Sequence, residues 1–200
     1  MTRDYTADME PVLRPVLEPA ERLLAASPLV TDPGTTADVD AADELRNLLD
    51  PTILLGLGSH PGNLLQRAAY GRAVTGSTES IGRWLHATVD AVLAPQLAVT
   101  DRRLLVFEID TTAREPEGWW RRWFGPVDRT ARVVRAVPRA AVVGAVRAPS
   151  GVLRRGRFLV VCADGSTCAL VCAPPSLAER AVAAIGPPRP LPDTPPEEQE

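Results

Sequence analysis

Residues 97–110, Leu-Ala-Val-Thr-Asp-Arg-Arg-Leu-Leu-Val-Phe-Glu-Ile-Asp, constrain this chain more than any other stretch. Two apolar arms flank a polar Thr100-Asp101-Arg102-Arg103 corner, and the second arm carries the β-branched and aromatic residues that suit a pleated, half-buried surface. The pattern predicts an antiparallel hairpin. The same texture recurs in 132–137, 140–147, 157–163 and 166–172, punctuated by Pro138, Pro149-Ser150-Gly151 and Asp164-Gly165. Asp-Gly between two apolar runs is a strong hairpin signal. A two-residue turn there places Ala163 opposite Ser166 and Cys162 opposite Thr167, so Cys162 and Cys168 are expected on opposite faces. Cys168 and Cys172 are about 13 Å apart at strand rise, beyond disulfide reach. The three cysteines therefore read as small apolar fillers in a reducing compartment.

Upstream, residues 1–19 read as irregular, because Pro11, Pro15 and Pro19 are spaced too closely for a helix to run through them. Residues 21–30 form a first strand, ended by the turn Asp32-Pro33-Gly34. From 35 to 94 the texture turns helical, with segments at 41–49 and 63–73. A third helix is capped by Ser77, Thr78 and Glu79 and striped by Ile81, Trp84, Leu85, Thr88, Val89 and Val92. None of these could span a bilayer, which needs about 20 apolar residues in succession. A last helix, 176–185, opens on a Ser176-Leu177-Ala178-Glu179 capping box and stops at Gly186-Pro187. The tail 187–200, rich in proline and glutamate, has nothing to bury and is expected to be disordered.

The whole is 200 residues with net charge −3, which argues against wholesale attraction to nucleic acid. All 22 basic side chains are arginine, spread along the chain as lysines usually are, so no block of them reads as a binding tail. Met1 to Glu10 lacks the apolar core of a secretory signal, so a cytoplasmic location is expected.

Seven strands followed by one helix, with the Thr-Asp-Arg-Arg-Leu corner between the second and third, resemble the bacterial PH-like (pleckstrin-homology-like, GRAM-like) domains of actinobacterial proteins. The resemblance rests on Pro19-Ala20-Glu21-Arg22-Leu23-Leu24-Ala25-Ala26, Leu97-Ala98-Val99-Thr100-Asp101-Arg102-Arg103-Leu104, Val137-Pro138-Arg139 and Ala163-Asp164-Gly165-Ser166. It covers 20–30 and 95–186. It implies an α+β fold: a bent antiparallel β-sandwich or partly open barrel of about seven strands, with a C-terminal capping helix. This domain would occupy 20–186 and carry the helical insertion, 35–94, between strands 1 and 2. Lipid-binding members place basic phosphate ligands around that junction. Here an insertion with few basic side chains replaces it, so phosphoinositide binding does not carry over.

For function, the pattern that stands out is Trp119, Trp120, Arg121, Arg122, Trp123 and Phe124, holding three of the four tryptophans. Trp and Arg together favour a protein hot spot or a bilayer interface, though such rings also serve to anchor a long loop or cover a barrel mouth. Arg154, Arg155 and Arg157 are the densest basic run and a candidate anion contact; otherwise they are a charged strand edge that discourages aggregation. Arg102 and Arg103 read as a salt-bridged turn, with Asp101 or Glu108 as partners. His60 and His86 have no carboxylate or cysteine at ligand spacing, and Ser59-His60 lacks a nucleophile elbow. The expectation is a non-enzymatic binding or scaffold module without metal or cofactor. It would act through protein contacts, or alternatively at the inner face of the membrane through anionic lipid and the 118–126 loop.

Overall fold

The computed structural model describes residues 4–32, 34, 71–113, 127–148 and 155–189. The elements, numbered over these residues, are α1 (Tyr5–Leu13), β1 (Leu23–Val30), β2 (Val74–Thr75), α2 (Ile81–Ala91), β3 (Gln96–Thr100), β4 (Arg103–Ala113), β5 (Val127–Pro138), β6 (Val142–Arg147), β7 (Arg157–Cys162), β8 (Thr167–Cys172) and α3 (Ser176–Ile185). The protein is α+β with an antiparallel sheet in the order β5-β4-β3-β1-β8-β7-β6, and two-residue β2 pairs with β8 off that path. The sheet does not close. β1 joins its two halves: Leu23 to Pro28 pair with β3, and Leu29 and Val30 pair with β8.

The expected strand at 21–30 and the 97–110 hairpin are both present. The hairpin is more deeply buried than a half-buried surface requires, since all five residues of β3 are buried. Leu97, Val99, Leu104 and Val106 enter the main core with Leu85 and Val89 of α2 and Leu177, Ala178, Ala181 and Ile185 of α3. Ala98, Leu105 and Phe107 point the other way, onto Met9 and Leu13 of α1. Two covered faces explain why this hairpin reads as nearly continuous apolar residues instead of alternating ones.

That second layer corrects the reading of 1–19 as irregular. Residues 5–13 are helical with Pro11 inside, and a 3-10 turn follows at Arg14–Val16. Packing overrides the proline: Met9 and Leu13 are fully buried. Asp4 caps the Thr6 N–H, and the Tyr5 hydroxyl donates to Gln96 Oε1 at 2.6 Å.

Of the expected insertion, residues 35–70 lie outside the described residues, and with them the segment 41–49, Ser59 and His60. The end of the 63–73 helix is not helical: Gly71 has φ +76° and residues 71–75 are extended or bent. α2 is a helix as expected, capped by Ser80 instead of 77–79. No helix among the described residues is long and apolar enough to cross a membrane.

Two further corrections concern turns. The β7–β8 hairpin has a three-residue loop, Ala163-Asp164-Gly165, in which the Cys162 N–H donates to Ser166 O (2.9 Å) and Gly165 sits at φ +78°. The register is Val161 opposite Thr167 and Val160 opposite Cys168. This one-residue slip reverses the face expected for Cys162, so all three cysteines join the main core. At α3 the helix starts at Ser176 itself with Pro175 as N-cap, so the expected capping box does not form. The end is as expected, with Gly186 at φ +85° donating its N–H to Val182 O.

Candidate functional site

Three places on this frame are built with polar care: the β3–β4 corner, the neck of the 35–70 segment, and the arm formed by β4 and β5. At the corner, the buried Thr100 hydroxyl accepts the N–H groups of Arg102 (3.1 Å) and Arg103 (2.9 Å) and donates to Glu21 Oε1 (2.7 Å). Arg103 grips Glu21 with Nε (2.9 Å) and Nη2 (2.8 Å), the two-pronged geometry that makes Arg–carboxylate pairs strong. Burial alone would raise the Glu21 carboxyl. The Arg103 guanidinium, the Glu18 N–H and the Thr100 hydroxyl outweigh it and hold the pKa at about 2. Asp101 is likewise held below the usual carboxylate range, first by the Arg22 N–H (3.0 Å) and then by the Arg22 side chain. Arg102 pairs with Glu18 at 3.1 Å. The partners therefore differ from those expected: Glu18 and Glu21 take the two arginines, Arg22 takes Asp101, and Arg132 takes Glu108. Saturated carboxylates of this kind fix a turn and are poor proton acceptors. A surface depression of about 600 Å³ lies alongside, lined by Glu10, Arg14, Leu17 and Glu18 among others.

The neck holds Arg157, one of the three arginines offered as an anion contact. Its side chain is buried, donating from Nε to Asp32 Oδ2 (2.5 Å) and from Nη2 to Arg72 O (2.7 Å). The other Asp32 oxygen accepts the Gly34 N–H at 2.6 Å. Both ends of the 35–70 segment are thus pinned to one buried ion pair, and Arg157 is already committed to Asp32 in place of an external anion. Arg155 is exposed, and Arg154 lies outside the described residues.

On the arm, β3 pairs with β4 only as far as Gln96 opposite Phe107. β4 and β5 continue together for six further pairs, from Glu108 opposite Arg132 to Ala113 opposite Val127. At ~3.4 Å per residue this is an overhang of about 20 Å. Its base is supported where Ile109, Ala131 and Val133 pack towards α1, whereas Asp110, Thr111, Arg129 and Thr130 are exposed. Residues 114–126 connect the two strands at the far end. Trp119, Trp120, Arg121, Arg122, Trp123 and Phe124 belong to that connection and lie outside the described residues. The remaining tryptophan, Trp84 on α2, is about half exposed, with the Arg135 guanidinium 3.4 Å from its ring centroid.

A fourth feature was not anticipated. The β7–β8 turn also terminates α2: Asp164 Oδ2 accepts the Ile81 N–H (2.7 Å) and Ser166 Oγ accepts the Gly82 N–H (2.8 Å). Desolvation pushes the Asp164 carboxyl up, but the Ser166 hydroxyl and the Ile81 N–H pull it down further, leaving it below the usual range.

The chain matches no known protein family, curated protein or solved structure.

The three cysteines lie in the main core. Burial pushes the Cys162 and Cys172 thiols up to about 11 and Cys168 higher still, the opposite of an activated thiolate. His86 is half-buried on α2. No group of three His, Cys, Asp or Glu side chains among the described residues is placed to hold a metal ion.

Proposed function

We propose that this chain is a non-catalytic, PH-like binding module that grips a protein partner through the Trp/Arg loop at the end of the β4–β5 arm. In this reading α3 caps one end of the bent sheet, and the segment pinned at Asp32 and Arg157 is a second displayed element. The observation that carries it is the arm: two strands leave the sheet for six pairs beyond their last neighbour and carry a 13-residue connection (114–126) with three tryptophans. Tryptophan and arginine are the residues most enriched at protein hot spots, and a stiff two-stranded root lowers the entropy lost when such a loop is captured. The saturated corner carboxylates and the buried thiols support a binding role over a catalytic one.

The test compares the native chain with a Trp119→Ser, Trp120→Ser, Trp123→Ser variant in quantitative capture from cytoplasm of the source cell. Enrichment of a discrete protein by the native chain and its loss with the variant is the expected result. Co-sedimentation of the native chain with phosphatidylglycerol vesicles at low salt, abolished by the same substitutions and without protein capture, would replace the partner with a membrane surface.

A further inference from the structure

An open sheet has two edges, and this chain covers one of them itself. Along β6 the Ala145 N–H donates to Gly186 O (2.8 Å) and the Arg189 N–H to Val143 O (3.3 Å). A Cβ at Gly144 would stand 2.4 Å from the Pro188 backbone, so only glycine fits beneath this cover. Residues 187–189, part of the tail expected to be disordered, thus occupy the β6 edge.

The opposite edge is β5, where the alternation of the ladder decides which backbone groups are free. Pro138 stands opposite Arg103 while the Arg139 N–H donates to Arg102 O (2.7 Å), which makes 138/103 a non-hydrogen-bonded pair. Even-numbered residues of β4 therefore bond to β5. Asp128, Thr130 and Arg132 stand opposite Thr112, Asp110 and Glu108, so their N–H and C=O groups point into the ladder. Those of Val127, Arg129, Ala131 and Val133 point outward, and no backbone group among the described residues meets them. This open run has two definite ends. β5 begins at Val127. At the other end Val106 faces Arg135 and Phe107 faces Val133, so Val134 is an extra residue, and such a bulge twists the strand out of flat pairing. The flat edge, 127–133, is about 20 Å long. Charge does not select its occupant: Arg132 is held by Glu108, Arg135 lies on the Trp84 ring, and Arg129 is on the other face with Ala131 and Val133.

We propose that the 127–133 edge of β5 pairs with the same edge of a second copy of this chain, antiparallel about a two-fold axis at Thr130, so that the two sheets become one. A two-fold contact needs a stretch that complements itself, and this register pairs the whole run, Val127 with Val133 of the second copy, and stops at the bulge on both sides. It sets outward-bonding residues against outward-bonding ones, Arg129 against Ala131, and Thr130 against its own copy. Asp128 falls opposite Arg132, and no like charges stand directly opposite each other. An axis at Arg129 or Arg132 would pair an arginine with itself, and one at Ala131 would run Val127 and Asp128 past the bulge. An axis between two residues would set outward-bonding groups against inward-bonding ones. The pairing does not depend on the tryptophan loop.

Seven pairs make a small interface, so the dimer is expected to be weak and concentration-dependent. Sedimentation velocity of the intact chain, from micromolar to near-millimolar concentration, should show monomer passing to dimer. Amide exchange should follow the alternation: Thr130 and Arg132 protected at every concentration, and Arg129, Ala131 and Val133 protected only as the dimer forms. The axis can be trapped, because Cα atoms in a non-hydrogen-bonded antiparallel pair are about 4.5 Å apart, within disulfide reach. Under mild oxidation by diamide, Thr130→Cys should link two copies at least about tenfold faster than Asp110→Cys, which is exposed on the same face one strand further in. Ala131→Pro removes an outward N–H and spares the β4 ladder, so it should abolish the dimer in a folded chain. A monomer at every concentration, or equal oxidation at positions 130 and 110, would overturn the proposal. So would a dimer that survives Ala131→Pro and is lost with Trp119→Ser, Trp120→Ser, Trp123→Ser, which would place self-association in the loop.

Discussion

Arg157→Met tests the neck most severely. The native guanidinium is buried with Asp32, and methionine fills comparable space without charge, so the substitution leaves the Asp32 carboxylate in the interior with the Gly34 N–H as its one hydrogen-bond donor among the described residues. Removing one member of a buried ion pair typically destabilises by about 3–5 kcal/mol, a large share of the roughly 5–15 kcal/mol that holds a domain of this size folded. The bond from Arg157 Nη2 to Arg72 O is lost as well. Arg157→Met combined with Asp32→Asn removes both charges while retaining an acceptor for Gly34. It should therefore be markedly less damaged than the sum of the single changes, with a coupling of at least about 1.5 kcal/mol in a double-mutant cycle. Urea unfolding gives the energies, and amide exchange at Gly34 and at Ala169, whose N–H bonds to Ala73 O, reads the neck locally. In the double variant the global midpoint should recover, and Gly34, which keeps its acceptor at position 32, should stay protected. A cost below about 1 kcal/mol for Arg157→Met, or strict additivity, would refute the claim that this pair closes the neck.

Other consequences can be checked on the same preparations. Glu21 is held at about 2 against an ordinary 4.5, so its contribution is fully present above pH 4.5 and drains away as pH falls towards 2. Glu21→Gln should flatten that acid limb of the stability curve, and an unchanged limb would remove Glu21 from it. Asp164→Ala should destabilise by about 1–2 kcal/mol and speed exchange at the Ile81 and Gly82 amides, since the turn no longer caps α2. Leu13→Ala should cost about 2–5 kcal/mol if α1 is part of the core, and near-neutrality would return 1–19 to a peripheral role. Gly144→Val should peel 186–189 from β6, seen as loss of protection at Ala145 with the rest of the sheet intact.

Most of the sheet was legible in the sequence because its strands are bounded by strong punctuation. Pro138, Asp164-Gly165 and Gly186-Pro187 each end an element close to where the pattern predicted. What escaped depended on tertiary partners. In 1–19 the apolar residues Tyr5, Met9, Val12, Leu13 and Val16 carry helical spacing, a signal that the prolines obscured and that only the second face of the sheet turns into stability. The Asp-Gly turn was recognised, but its two- and three-residue forms share that dipeptide and differ in register by one, which was enough to misplace Cys162. The partners of Arg103 and Arg157 lie 82 and 125 residues away, respectively, so a local reading of basic runs could not separate a buried ion pair from a free anion contact. Arg157 sits next to Phe158 in an apolar strand, and that position inside a core run was the available hint.

The claim on which the functional account rests is that the arm presents its tryptophans to a protein. Placing a photo-reactive benzoylphenylalanine at Trp120, and in a control chain at the exposed Arg155, then irradiating living cells, tests it directly. The account predicts a discrete covalent adduct with one protein from position 120 and none from position 155. No protein adduct at position 120, or the same adducts from both positions, would contradict it.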